Sequence, residues 1–317
     1  MMPQTAAYTF ARYLQAKKSV DDRALNRLVW QTLAKSLPQQ TPGSPLRVLE
    51  VGAGIGTMLE RMLSWKLLKK ASYTGIDVHA GLIRTAQERL PAWAAGLGYR
   101  ISRTPTGLRL ADSEREVTVT LQAADVFDVA ASPANRAVFD VLVAHAFLDL
   151  VDLPSSLPAL FNLLRAGGLF YFTINFDGLT VLEPEIDPEL DALVLSLYHR
   201  TMDERLEQGR PSGDSRTGRH LFSHLEKAGA MILDAGASDW VVFARTGAYP
   251  EDEAYFLHHL LHTIQEALAD CPELDYSRLK GWIDLRHAQV ERGELVCLAH
   301  QLDFVGQVLQ WSGRSVP

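Results

Sequence analysis

Residues Leu46 to Thr57 read LRVLEVGAGIGT, a short apolar run followed at once by glycines at alternate positions. The run Leu46, Val48, Leu49 and Val51 is apolar on both faces, as a central parallel strand requires, and Pro42, Gly43 and Pro45 punctuate its start. Gly52, Gly54 and Gly56 let the backbone pass close to a ligand. Ile55 to Lys70 then resumes at helical spacing, so the free amides of a helix N-terminus point at the same place. A strand that feeds such a turn predicts an α/β domain with its site at the strand's carboxyl end.

A dinucleotide fingerprint, G-x-G-x-x-G, would put its third glycine at position 57, where the chain has Thr57. What stands here is E-x-G-x-G-x-G, from Glu50 through Gly52 and Gly54 to Gly56. A second strand, Ser72 to Ile76, ends at Asp77, about 20 residues past the glycine loop, where a carboxylate can accept both ribose hydroxyl protons; a helix N-cap is the competing reading. A third strand, Val117 to Leu121, runs into Ala124, Asp125, Val126 and Phe127. A fourth, Phe139 to Ala144, leads into His145, Ala146, Phe147, Leu148 and Asp149. A fifth, Leu169 to Asn175, follows the turn Arg165-Ala166-Gly167-Gly168.

In this order the motifs resemble those of the class I S-adenosylmethionine-dependent methyltransferases, closely over Leu46 to Asn175 and in outline beyond. The resemblance implies a Rossmann-like, doubly wound sheet of seven strands, mostly parallel with the last antiparallel, carrying helical insertions. It implies S-adenosylmethionine as cofactor and S-adenosylhomocysteine as product. Glu50 would face the methionine moiety above Gly52, Gly54 and Gly56, Asp77 would hold the ribose, and Asp125 the adenine amino group. Val126 and Ala144 complete the expected cofactor-binding set. The expected activity is transfer of the methyl group to an O, N or C nucleophile of a small molecule. A dinucleotide-dependent oxidoreductase is the alternative within enzymes, against which Thr57 and Asp125 weigh. A non-catalytic cofactor-binding subunit is the alternative outside them.

With 317 residues the chain can hold one large or two modest domains, and one catalytic domain with insertions is favoured. Hydrophobic residues at 47% and charged residues at 22% are ordinary globular values. A formal net charge of -7 with no basic stripe argues against nucleic-acid binding, which needs a positive surface. Cys271 and Cys297 have no CxxC pairing, which suits a reducing cytosol. Met1 to Phe10 has neither a basic nor an apolar leader pattern, and no run reaches ~18 apolar residues, so a cytoplasmic protein without membrane partners is expected. A homodimer is left open.

Residues 1–45 are read as N-terminal helices, the second starting at a capping box in Ser19-Val20-Asp21-Asp22 and carrying Ala24, Leu25, Leu28, Val29 and Leu33. Tyr8, Tyr13 and Arg23 would reach the cofactor mouth if these helices cover it; plain packing on the sheet is the competing reading. Residues 46–317 form the catalytic domain. After Asp77 a helix from His79 to about Ala95 is broken by Pro91. Residues 98–116 hold a hairpin that extends the sheet edge or makes a flap. Residues 176–219, with a helix from Glu189 to about Gln208, are expected as a substrate lid after the fifth strand. Ala230 to Phe243 gives the sixth strand and Glu294 to Phe304 the seventh, separated by two helices in the insertion 250–293.

For a hydroxyl or protonated amine acceptor a general base is needed, and histidine has a suitable ordinary pKa. His145, after the fourth strand, is the candidate base, with Asp149 one helical turn later to orient it; the competing reading makes His145 a wall beside the sulfonium. His258 and His262 stand at metal-ligand spacing but flank the buried stripe Leu257, Leu261, Ile264 and Leu268 without a third ligand, and no metal is assigned. Gly213 to Arg219 reads equally as an anion loop or as the start of a helix capped by Thr217. Tyr198, Phe176 and Trp240 are assigned to the core.

Overall fold

A computed structural model describes residues 8–38, 44–207 and 209–309. Pro42 and Gly43, the leader reading of Met1 to Ala7, and Gln208 at the expected end of the lid helix fall outside them. The chain opens with helices α1 (Phe10–Ala24) and α2 (Arg27–Ser36). The first half of the domain then runs β1 (Leu46–Val51), α3 (Thr57–Ser64), β2 (Lys70–Asp77), α4 (Ala80–Gly96), β3 (Arg100–Thr104), β4 (Gly107–Ala111) and β5 (Glu116–Ala123). The second continues with α5 (Val126–Ala131), β6 (Phe139–His145), α6 (Leu153–Phe161), β7 (Leu164–Glu183), α7 (Pro188–Asp203), β8 (Leu206–Glu207) and β9 (Arg210–Pro211). It closes with α8 (Thr217–Lys227), β10 (Ala230–Ala237), β11 (Trp240–Val242), α9 (Glu253–Leu268), α10 (Tyr276–Glu291) and β12 (Val296–Val308).

Strands line up as β10-β12-β7-β6-β1-β2-β5-β4-β3, with β11 also on β12, in a 10-stranded sheet. β7, β6, β1, β2 and β5 are mutually parallel, and β12 runs antiparallel between β7 and β10. This is the expected doubly wound fold, with additions. The hairpin β3–β4 joins the edge of β5, and the expected sixth strand is cut at Ser238-Asp239 into β10 and β11. Apolar residues of α2, α3 and α4 cover one face, those of α5, α6 and α8 the other. A separate apolar cluster joins α7, α9 and α10 to α1 and the far ends of β7 and β12.

Several expected boundaries move. Ser19 to Asp22 do not start a helix: α1 runs through them, and Asn26 caps α2 by accepting from the amides of Leu28 and Val29. Asp21 is instead buried, and Ser19 reaches Glu253. Pro91 sits inside α4 rather than breaking it. The fifth strand does not end at Asn175, because Phe176 to Glu183 continue in β7 and pair with Val296 to Gln301 of β12.

The expected lid is therefore divided. Its first residues belong to the central sheet. Its helix α7 packs Leu190, Val194 and Leu197 into the cluster with α9 and α10. Asp191 anchors it further, accepting from Arg286 at 2.7 Å, from the Ile186 amide at 3.0 Å and from the Trp282 indole.

Where β7 and β12 diverge, Ile174 adopts φ 57, a backbone that a β-branched residue rarely takes. Asp303 of β12 holds it, accepting from the Ile174 amide and from the Asn26 amide at 2.8 Å each. Asp303→Ala should cost about 2–5 kcal/mol in denaturant unfolding, because it leaves buried amides without acceptors, and Asp303→Asn should cost clearly less. Equal losses for the two variants would mean that packing, not these bonds, holds the kink.

Candidate active site

The chain passes from β1 outward to β2 and β5 on one side, and through β6 to β7 on the other, so β1 and β6 flank the point where the winding reverses. Ligands of open α/β sheets bind at the carboxyl ends of strands there. A cavity of about 520 Å³ opens at that place, between Gly52 to Ile55 after β1, His145 to Val151 after β6, and α1 above.

The glycine turn makes one wall. Gly52 and Gly54 have φ 65 and 52, and a Cβ at either would come within 2.8 Å of Phe147 or 3.0 Å of Leu14. The cradle is closed to side chains by conformation and by space. Asp77 stands beside it: one carboxylate oxygen accepts from the Gly54 amide at 2.9 Å and the other from the His79 amide at 2.8 Å. His79, not Asp77, is the N-cap residue of α4, so Asp77 shapes the glycine turn rather than capping the helix. Asp125 caps α5 through the Phe127 amide and leaves its carboxylate beside Val126 and Phe127 on the same wall. Glu50 is buried at the cavity's base, where it accepts from the Tyr73 hydroxyl, and burial raises its pKa well above the ordinary carboxylate value. S-adenosylmethionine fits these residues: a cradle that a Cβ would fill, then carboxylates at Asp77 and Asp125 in sequence along the wall. Of the expected set, Glu50, Gly52, Gly54, Asp77, Asp125 and Val126 line the cavity, whereas Gly56 begins α3 behind it and Ala144 is buried in β6.

His145 is held by a different carboxylate from the one expected. Its Nε2 lies 2.9 Å from Asp21 Oδ2 and its Nδ1 2.8 Å from Thr173 Oγ1, so Asp21, not Asp149, orients the ring. Asp21 gathers Lys17 Nζ at 2.6 Å, the Trp240 indole at 2.9 Å and Arg61 at 3.5 Å. Burial alone would raise the Asp21 carboxyl, but Lys17, His145 and Arg61 outweigh it and hold the group far below the ordinary range. Burial first, then Arg61 and Lys17, push His145 down to about 4 against the pull of Asp21, so the ring is neutral at pH 7.

Asp149 faces the cavity from the turn after β6, with one oxygen buried and without a hydrogen-bond partner among the described residues. Burial raises its pKa. Tyr198, Phe176 and Trp240, expected in the core, line the same space, as does Tyr13; Tyr8 instead stacks on His262, and Arg23 pairs with Glu253. His258 and His262 turn to separate partners, His287 at 2.7 Å and Glu266 at 3.3 Å. In the Gly213 to Arg219 loop, Arg219 binds Asp177 at 2.9 Å and Thr217 bonds back to the Asp214 carbonyl, while Arg216 is the N-cap position of α8. That favours the helix-start reading.

Sequence reasoning missed Lys17, Asp21, Arg61 and Arg205. Two signals were present. Lys17 and Asp21 stand four apart on one helix face, a pairing distance. Arg61 interrupts the apolar stripe Met58, Leu59, Met62 and Leu63, which demands a buried partner. Nothing in the sequence says that α1 lies over β6.

The shift of His145 carries a sign. The unfolded chain takes up a proton near the ordinary pKa of 6.5, while the folded one stays neutral down to about 4, so this group destabilises the fold as pH drops through that window. Asp303, raised to about 6 mainly by burial, acts in the opposite sense over the lower part and is common to both proteins compared. His145→Asn should therefore lose less stability than the parent between pH 6.5 and 4 in denaturant titrations. Parallel pH profiles would contradict the buried neutral ring.

Residues 49–172 match the family model described as a methyltransferase domain. No curated protein matches the chain in sequence. Among solved structures, a Bacillus halodurans protein described as a proposed methyltransferase is 12% identical, with 89% of this chain and 99% of that one covered, at a TM-score of 0.48. An S-adenosylmethionine-dependent methyltransferase of Methanosarcina mazei is 13% identical, covering 90% and 98%, at 0.47. A phosphoethanolamine N-methyltransferase of Haemonchus contortus, solved with S-adenosylhomocysteine, is 13% identical, covering 95% of this chain and 57% of that one, at 0.45. Residues 49–172, which hold the glycine cradle, Asp77, Asp125 and β6, are thus the part of the chain that matches a methyltransferase domain, and S-adenosylmethionine is the cofactor named for the Methanosarcina mazei relative.

Proposed function

We propose that the protein transfers the methyl group of S-adenosylmethionine to a small molecule held in the same cavity. One observation carries this reading: a single cavity is lined by the residues expected for the cofactor, Glu50 to Asp125, by the turn after β6, and by further aromatic and charged residues. When bound, the cofactor supplies a methyl group that is already electrophilic, so the protein's task is to hold an acceptor in line and exclude water. Enclosure under α1 and a net charge of -7 support a small acceptor over nucleic acid. No helix among the described residues is long and apolar enough to cross a membrane. A cytoplasmic site of action is part of the proposal, supported by the free thiols of Cys271 and Cys297.

Within this reading Gly52 and Gly54 admit the cofactor backbone, Asp77 holds the ribose and Asp125 the adenine amino group, beside Val126. Glu50 supports the methionine end, and Gly56 and Ala144 shape the cradle from behind. His145 is a positioning residue, since both ring nitrogens already have protein partners, and it fixes α1 against the end of β6 through Asp21. Asp149 is the proposed base. It lines the cavity, one of its oxygens has no hydrogen-bond partner among the described residues, and burial raises its pKa toward neutral pH, where a base works best.

Titration calorimetry should give micromolar-range binding of S-adenosylmethionine and S-adenosylhomocysteine and none of NAD. Heat with NAD alone would favour an oxidoreductase, and binding without turnover on any acceptor a regulatory subunit. Gly54→Val should abolish cofactor binding while the protein remains folded. Asp77→Ala should weaken it by roughly 1–3 kcal/mol, and by more than its effect on unfolding if the ribose contact is real. A loss of stability with unchanged affinity would leave Asp77 as a support of the glycine turn only.

A further inference from the structure

The second wall of the cavity presents two opposite charges that attract through space but form no hydrogen bond or ion pair with each other. Asp149 has an oxygen without a partner, and the Arg205 guanidinium, on the segment after α7, makes no hydrogen bond or ion pair with any described residue. They are neighbours: the point where a Cβ of Gly213 would stand lies 3.1 Å from the Asp149 carbonyl and 3.4 Å from Arg205 Nη1. Both residues line the cavity. Tyr13, Phe147, Phe176, Tyr198 and Trp240 line the same cavity. Other charges at this wall are satisfied, Lys17 by Asp21 and by the face of Trp240 at 5.1 Å.

We propose that the methyl acceptor is a small zwitterion, an amine that also carries a carboxylate or phosphate, with its nitrogen at Asp149 and its anionic group at Arg205. This rests on the methyltransferase reading and adds the substrate class to it. The physical case is one of complementarity. A carboxylate in the wall of an enclosed cavity is costly unless a ligand donor meets it. A guanidinium fork suits a planar carboxylate or a phosphate, and aromatic faces attract an ammonium or its methylated product. An acceptor with one charge would leave one of the two protein groups unpaired. The resting ammonium must shed one proton before its nitrogen has a lone pair. Asp149 takes that proton, so the amine and the carboxyl both become neutral, and burial raises the Asp149 pKa in the direction this needs.

The test is calorimetry on the full chain, first with S-adenosylhomocysteine, then, on the saturated protein, with a series of probes. The series comprises the ω-amino carboxylates from glycine to 5-aminopentanoate, 2-aminoethyl phosphate, and matched amines and acids that each lack the second group. At least one zwitterion should bind tenfold or more tightly than both of its matched halves, and comparison of carboxylate with phosphate identifies the anion. Arg205→Gln should remove that advantage while leaving S-adenosylhomocysteine affinity unchanged. Asp149→Asn should weaken zwitterion and amine binding but not acid binding. Zwitterions that bind no better than their halves, or an advantage that survives Arg205→Gln, would overturn the proposal while the cofactor reading stands. Failure of S-adenosylhomocysteine to bind would overturn the methyltransferase reading instead, and the same series on the chain alone would then decide the charge pairing.

Discussion

The buried carboxylate of Asp21 is the constraint on which the rest of the site depends. It lies where α1 crosses the end of β6, and it holds Lys17 of its own helix, His145 of β6, Arg61 of α3 and the indole of Trp240 on β11. A charge at that depth is tolerated only because its partners surround it, and removing one partner of such a group typically costs about 3–5 kcal/mol. The cluster therefore does more than stabilise. It fixes the N-terminal helix over the carboxyl edge of the sheet, and so turns an open crevice into a cavity with a roof.

The other walls follow from the winding of the sheet. Reversal between β1 and β6 leaves a crevice that any doubly wound fold would have. This chain deepens it by carrying β7 and β12 past the usual edge, to Glu183 and Val296, where they support α7, α9 and α10. Backbone strain gathers at the join. Ala146 and Ile174, both with positive φ, line the cavity; the Ile174 amide donates to the Asp303 carboxylate and the Ala146 amide to the Thr173 carbonyl. Such strain is kept where the surroundings over-determine it, as at binding sites.

The cofactor half of this architecture was legible in the sequence because it is local. Glu50 to Gly56 are consecutive at the end of β1 and the turn after it, Asp77 ends β2, and Asp125 caps α5 just after β5, both strands that their own residues announce. The roof was not legible, since Asp21 reads as part of a capping box and Lys17 carries no signal beyond its spacing until α1 is placed against β6. The start of the expected lid was misplaced for a related reason. Pro184 marks where the strand stops, but the apolar Leu179 to Leu182 ahead of it form strand only because β12 is there to pair with them. Phe176, Tyr198 and Trp240 looked like core residues because aromatic character alone does not distinguish a core from a cavity wall; their three elements had to converge first.

The central claim is that cofactor and acceptor share one cavity, with the turn after β6 between them. Its most direct measurement is a crystal structure of the chain grown with S-adenosylhomocysteine. The account predicts the adenine at Asp125, the ribose at Asp77, and the sulfur directed toward the space between Asp149 and Arg205. Density for the ligand elsewhere, or a sulfur turned away from Asp149 toward the solvent side of the glycine turn, would contradict it.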